Sequence, residues 1–274
     1  MLKNILVIAD QDTDQHAAIR KASAVAVTPT TSLFILGFTA PAPGAGARAA
    51  IDKKAHLQQI IDTELSDVPA TVLDVLVTDD IAGYCSQFCA ENQIDLVIKT
   101  GHRSESLFYT PLDWQLIREL ACPVLIATPD KWSARPNVVV TLDIGSDDET
   151  QRKLNVKVAR WARDWASGHD ADLHAAYCVA NEGSRDDASK AAEKQARAEL
   201  ETFLEDNGIA CTSAQVGTGR PEDVLVDLAE RLKADVVVLG SVGRKGVKGV
   251  LLGNTAESIL HRLQTDAVVI HPDS

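Results

Sequence analysis

Residues 138–143 read VVVTLD, and residues 5–10 read ILVIAD. Each is an apolar run closed by an aspartate, and the two lie 133 positions apart. Two further pairs follow in the same order. Residues 94–99 (IDLVIK) match residues 234–239 (ADVVVL) at a shift of 140, and residues 120–126 (LACPVLI) match residues 264–270 (QTDAVVI) at a shift of 144. Three matches in one order, at a period of about 135–140 residues, describe a duplicated domain rather than a short solenoid repeat. The joint is expected in TPDKWSARP (128–136), where two prolines break any regular pattern. This gives one domain over residues 1–131 and a second over 136–274.

The second copy spells out the unit. Its run at 138–142 suits a strand buried on both faces of a parallel sheet. Leu154, Val158, Trp161 and Trp165 recur at helical spacing and read as a core stripe. Strands are expected at 171–179, 209–216, 236–239 and 267–270. Helices are expected at 187–207, stopped by Gly208, at 221–233, opened by Pro221 with acidic residues behind it, and at 255–263. Regular alternation of strand and helix predicts an α/β chain: two tandem doubly wound domains, each a five-stranded parallel sheet with helices on both faces.

Of the 274 residues, 45% are hydrophobic, enough for packed cores, and no apolar run approaches the ~20 residues of a membrane helix. MLKNILVIAD passes straight into a strand pattern without the features of a secretion signal, so a cytoplasmic location is expected. A formal net charge of -12 opposes non-specific binding to nucleic acid or anionic membrane. The five cysteines (85, 89, 122, 178 and 211) include no CxxC pair. Cys85 and Cys89, four apart on one helix face, read as small buried side chains rather than half of a metal site. No HExxH and no GxSxG is present, so neither a metal site nor a catalytic set is expected.

The stretch 240–255, GSVGRKGVKGVLLGNT, follows the expected fourth strand of the second copy. It also holds the four residues by which that copy exceeds the first. Two residues separate Gly240 from Gly243, and nine more precede Gly253. Glycine lets backbone N–H groups close on an anion, and the helix that follows adds its free N–H groups and dipole. Asn254 suits a helix N-cap, with Glu257 three residues on completing something close to a capping box. Arg244, Lys245 and Lys248 add positive charge. Two readings stand on these features: a phosphate cradle, or a glycine-rich loop with solvated cations before a capped helix. It is not a Walker loop, and no GxGxxG occurs in the chain. Asp143 and Gly240 both fall at carboxyl ends of expected strands, where open parallel sheets bind ligands. The acidic run 143–148 (DIGSDD) reads either as a strand end with a helix cap or as an approach to a nucleotide's metal ion.

With this spacing after the fourth strand of a five-stranded unit, the chain resembles the universal stress proteins. Nucleotide-binding members of that family carry G-x2-G-x9-G-[ST] at this place. The run GSVGRKGVKGVLLGNTAES and the TPLDW of residues 110–114 resemble its E subtype, which has two such domains in one chain. Asn254 stands where serine or threonine is usual, and Thr255 follows. The resemblance implies an adenine-nucleotide alpha-hydrolase-like fold and a stress-response regulator that binds ATP, with Mg2+, and is not an enzyme. Position by position, it puts Asp143 at the ribose or adenine edge, with Thr141 beside it. Ala175, after the second strand, lines the adenine pocket. Leu239 and Gly240 contact the nucleoside and α-phosphate, and Gly243, Gly253, Asn254 and Thr255 hold the phosphates.

The first copy departs from this pattern. Asp10 matches Asp143, but the loop after Lys99 reads TGHRSESLFYT, with Gly101 its one glycine and Tyr109 and Thr110 at the positions of Gly253 and Asn254. A tyrosine cannot offer bare backbone to a phosphate, so no nucleotide is expected in the first domain. His102 and Arg103 of the same loop could serve an anion, though a lone loop histidine is more often plain surface. Two alternatives remain at this stage: slow ATP hydrolysis or autophosphorylation through Asp143 and Thr255, or a scaffold holding no nucleotide or a lipid-like ligand. The two domains are also expected to imitate, within one chain, the dimer that single-domain relatives form through their last strands, with a homodimer as a further possibility.

Overall fold

The computed structural model describes residues 2–9, 16–68, 70–101, 111–180, 187–242 and 253–272. The chain divides into two units, Leu2–Asp130 and Lys131–Asp273. The first runs β1 (Asn4–Ala9), α1 (Ala17–Val25), β2 (Ser32–Thr39), α2 (Gly46–Glu64), β3 (Ala70–Val77), α3 (Ile81–Asn92), β4 (Leu96–Thr100), α4 (Pro111–Glu119) and β5 (Val124–Ala127). The second runs β6 (Asn137–Leu142), α5 (Glu149–Gly168), β7 (Asp172–Ala180), α6 (Asp187–Asp206), β8 (Ser213–Gly219), α7 (Pro221–Arg231), β9 (Val236–Gly240), α8 (Asn254–Arg262) and β10 (Asp266–Ile270).

Within the first unit the strands lie in the order β3-β2-β1-β4-β5, and within the second in the order β8-β7-β6-β9-β10, parallel throughout. The apolar runs occupy the middle of each sheet, where helices cover both faces. Val138, Val139 and Val140 of β6 are wholly buried, as are Ile5, Leu6 and Val7 of β1. The chain leaves β6 toward β7 on one side and returns through β9 on the other. That reversal opens a crevice beyond the carboxyl ends of β6 and β9, the place where doubly wound sheets bind ligands.

Sequence patterning placed the helices and central strands well and one edge strand poorly. The third strand of the second unit was expected at 209–216 and forms at Ser213–Gly219, paired from His174↔Ser213 to Ala180↔Gly219. The apolar residue that suggested the earlier start, Ile209, belongs to the end of α6 instead. Gly208 adopts φ +65°, its N–H donates to Glu205 O, and the Ile209 N–H donates to Leu204 O. This is a Schellman ending, in which an apolar residue after the glycine packs back on the helix.

The stripe on α5 is core: Leu154, Val158 and Trp165 are buried, and Trp161 stacks on Trp165 with ring centroids 6.2 Å apart. Trp132, ahead of β6, meets the edge of Trp165 at 5.2 Å and donates its Nε1–H to Asp266 Oδ2 at 2.7 Å. Cys85 and Cys89 lie buried and unbridged on α3. Burial pushes the Cys85 thiol up to about 12, and a hydrogen bond with Cys122, then burial, raises that of Cys89. Such thiols stay protonated and behave as small apolar side chains. Among the described residues no helix is long and apolar enough to cross a membrane.

Candidate functional site

The crevice of the second unit holds a cavity of about 430 Å³. Each wall follows from a local feature of the sequence. Asp143 comes directly after β6, and the side chain of Asn155 on α5 holds its backbone from both sides. The Asp143 N–H donates to Asn155 Oδ1 at 3.2 Å, while Asn155 Nδ2 donates to Asp143 O at 2.7 Å. Gln151 Nε2 adds a bond to the same Oδ1 at 3.0 Å, and Asn155 itself is 3% exposed. A buried amide with its hydrogen bonds made fixes the loop where it leaves the strand. Two residues on, Gly145 passes so close to Tyr177 that an added Cβ would lie 2.3 Å from the phenol oxygen. The Asp143 side chain keeps contact with solvent, yet the surrounding protein desolvates its carboxyl and raises its pKa above the ordinary aspartate value.

The opposite wall is the start of α8. Its N-cap is Gly253, in extended geometry (φ -62°, ψ 137°) and without a side-chain cap. The N–H groups of a helix's first turn have no acceptor within the helix. Here that turn, Asn254, Thr255 and Ala256, lines the cavity, and the Glu257 N–H closes the first turn on Gly253 O at 3.0 Å. The sequence had placed Asn254 at the N-cap with Glu257 as its box partner. The structure shifts the helix start by one residue, so Asn254 is the first helical residue and no capping box forms. Glu257 Oε1 lies 3.9 Å from His261 Nε2 instead. Gly253 takes the cap because its backbone already has the extended conformation a cap requires.

The structure brings Thr141, Asp143, Leu239, Gly240, Gly253, Asn254 and Thr255 together around this cavity. Gly243, with Arg244, Lys245 and Lys248, lies outside the described residues, as do Asp10, His102, Arg103, Tyr109 and Thr110 of the first unit. Ala175 does not line this cavity. It sits in the middle of β7, paired with Val140 and Ala214 and wholly buried, several residues short of the strand's carboxyl end. Cys178 and Ala180, where β7 does end, line the cavity in its place, together with Pro221 and Leu225 of α7 and Gln151 and Asn155 of α5. The signal that could have found Cys178 is register: Leu142 pairs with Tyr177, which sets Cys178 level with Asp143. Burial holds the Cys178 thiol up at about 11. Among the described residues no group of three His, Cys, Asp or Glu side chains is placed to hold a metal ion.

The glycines divide by purpose. A Cβ on Gly240 would lie 2.8 Å from Leu154 Cδ2 and 3.2 Å from Val158 Cγ2, so this glycine lets α5 pack against the end of β9. A Cβ on Gly253 would meet only Val242 O, at 3.6 Å. Gly240→Ala is therefore expected to destabilise the fold by about 1–3 kcal/mol, the range for overpacking. Gly253→Ala should stay within about 1 kcal/mol, the scale of an N-cap change. Urea unfolding of the two variants checks this.

A model of the universal stress protein family matches residues 1–128 and again 137–271. The chain belongs to the universal stress protein family. Among relatives, universal stress protein E of Escherichia coli K12 is 34% identical over 193 residues, an alignment that covers 65% of this chain and 61% of that protein. The chain thus spans less than two thirds of that relative's length. The universal stress protein E homolog of Haemophilus influenzae is 25% identical over 301 residues, covering 98% of this chain and 97% of that one. Among solved structures, a protein of Pseudomonas aeruginosa PAO1 described as functionally unknown superposes with a TM-score of 0.80 at 25% identity, over 99% of this chain and 93% of its own. A universal stress protein of Archaeoglobus fulgidus gives 0.72 at 14% identity, covering 98% of each chain, which speaks to the fold alone.

Within this family fold the first unit has a different interior at the corresponding place. Lys99, last but one in β4, stands where the repeat puts Leu239, and Asp113 of α4 stands where it puts Glu257. Lys99 Nζ lies 2.6 Å from Asp113 Oδ1 with both side chains 0% exposed, and it also donates to Thr100 O at 2.9 Å. The aspartate of the LDW segment is thus half of a buried ion pair. The second unit has an apolar leucine at the cavity where the first has this cation.

Proposed function

We propose that the second unit binds one adenine nucleotide, ATP with Mg2+, and that the chain acts as a nucleotide-dependent regulator rather than a catalyst. The observation that carries this reading is the cavity itself, which sets Asp143 on one wall against the uncapped first turn of α8 on the other. A carboxylate accepts hydrogen bonds from a ribose, and helix N–H groups with the positive end of the dipole receive phosphate. Leu239, Leu225 and Ile259 give the apolar surface that an adenine ring needs. The side-chain amide of Asn254 can donate to a phosphate, as a hydroxyl would. Mg2+, when bound with the nucleotide, neutralises phosphate charge. With Asp143 given to the ribose, the phosphates themselves would hold the cation. The first unit, which has the Lys99–Asp113 pair at this place, takes no nucleotide.

The test is ligand-linked stability. A ligand that binds only the folded state adds about 2.7 kcal/mol at a hundred times its dissociation constant. Saturating ATP and Mg2+ should therefore raise the melting temperature of the wild type but not that of Asp143→Ala. Without ligand, Asp143→Asn should leave the protein as stable as the wild type or more so at neutral pH. A desolvated carboxyl with raised pKa weakens the fold once it ionises, so the benefit should fade as pH falls toward the ordinary aspartate value. Identical ligand shifts in wild type and Asp143→Ala would remove Asp143 from the site.

A further inference from the structure

We infer that the outer edge of β8 is a dimer surface, on which a second copy of this chain adds its own β8. The inference is independent of the nucleotide reading. β8 is the last strand of the second unit's sheet, and among the described residues it pairs with β7 alone. A cavity of about 680 Å³ lies along it. Successive residues of a strand face opposite sides of the sheet. Here the Thr218 hydroxyl donates to Glu193 Oε1 of α6 at 2.7 Å, whereas a Cβ on Gly217 would lie 2.5 Å from Val224 Cγ1 of α7. The two helices therefore cover opposite faces, and a cavity lined by both passes around the open edge of the strand.

β3 is the matching outer strand of the first unit. Register makes Asp74 and Gln215 equivalent. Ile8, Leu36 and Asp74 lie abreast, as do Thr141, Ala176 and Gln215, and Thr141 follows Ile8 by the repeat shift of 133. Asp74 is exposed and ion-paired with Lys54 of α2 at 3.2 Å. A charge on an outer strand keeps other strands from pairing with it. β8 reads SAQVGTG, with no charge and no proline, and has the neutral Gln215 at that place.

The charges around the groove select its occupant. α6 contributes Lys190 and Glu193, and α7 contributes Asp227, Glu230 and Arg231. The three on α7 are exposed and make no ion pair among the described residues. A groove for a basic or an acidic peptide would carry one sign, but this one has both signs on each helix. Antiparallel pairing of two β8 strands about a two-fold axis normal to the sheet keeps each face on its own side. α6 then meets the other copy's α6, and α7 the other copy's α7, so the cations of each helix meet the carboxylates of its counterpart. Such self-complementarity is what a two-fold interface requires.

The experiment is sedimentation equilibrium of the wild type, Gln215→Asp and Arg231→Glu without nucleotide, with hydrogen exchange of β8 at high and low protein concentration. The wild type is expected to dimerise, and its β8 amides to gain protection as concentration rises. Gln215 shares the α7 face with Gly217, so Gln215→Asp sets a new carboxylate against Asp227 and Glu230 of the other copy. It should raise the dimer dissociation constant about tenfold or more, as like charges brought together do. Arg231→Glu, an exposed change on α7, should do the same, and it carries the test should Gln215→Asp fail to fold. A monomeric wild type overturns the inference and leaves the groove to a foreign strand or a small ligand. A dimer that the folded variants leave intact, or one whose β8 amides exchange alike at both concentrations, also overturns it, because the contact then lies elsewhere.

Discussion

Removing one partner of the Lys99–Asp113 pair, as in Lys99→Met or Asp113→Ala, is expected to destabilise the first unit by about 3–5 kcal/mol, the cost of leaving a buried charge uncompensated. Both side chains are fully buried, at 2.6 Å from one another, so water cannot solvate whichever charge remains. The double variant Lys99→Met/Asp113→Leu should recover most of the loss, because apolar residues of similar volume often replace a buried pair without penalty. Hydrogen exchange across β4 reads the effect locally, which matters in a chain of two units whose unfolding need not be two-state. A double variant as unstable as the single ones would mean that the pair adds more than mutual compensation.

Gly253→Tyr is the second large effect. It copies into the second unit the tyrosine that the first carries at the matching position, Tyr109. The backbone at Gly253 accepts a side chain, since φ is -62° and a Cβ would meet only Val242 O at 3.6 Å. The fold should survive. The ring, however, would project from the N-cap of α8 beside a cavity of about 430 Å³ and cover N–H groups a phosphate would use. Affinity for ATP is expected to fall at least a hundredfold, or about 2.7 kcal/mol. Unchanged affinity would place the phosphates elsewhere.

The fold was legible because its strands are continuous apolar runs, and because a duplicated sequence states the same pattern twice. Part of the site was legible for a related reason: in a parallel sheet the ligand lies where strands end, and Asp143 and Gly240 mark strand ends. What escaped depended on direction and partnership. Ala175 was placed by the family resemblance, but β7 continues to Ala180 and leaves that residue in the core. Ile209 is apolar for the sake of a helix ending. Asn254 yielded the cap to Gly253, since cap geometry is a property of backbone angles that side-chain chemistry alone does not reveal. Lys99 reads as one polar residue at the end of an apolar strand, and its partner lies fourteen residues on, across a loop of different length in the two copies.

The central claim, one nucleotide site per chain and that in the second unit, is tested most directly by isothermal titration of the wild type with ATP and Mg2+, repeated with Gly253→Tyr. The account predicts a stoichiometry of one per chain that disappears in the variant. Two equivalents per chain, no binding, or one equivalent that persists in Gly253→Tyr would contradict it.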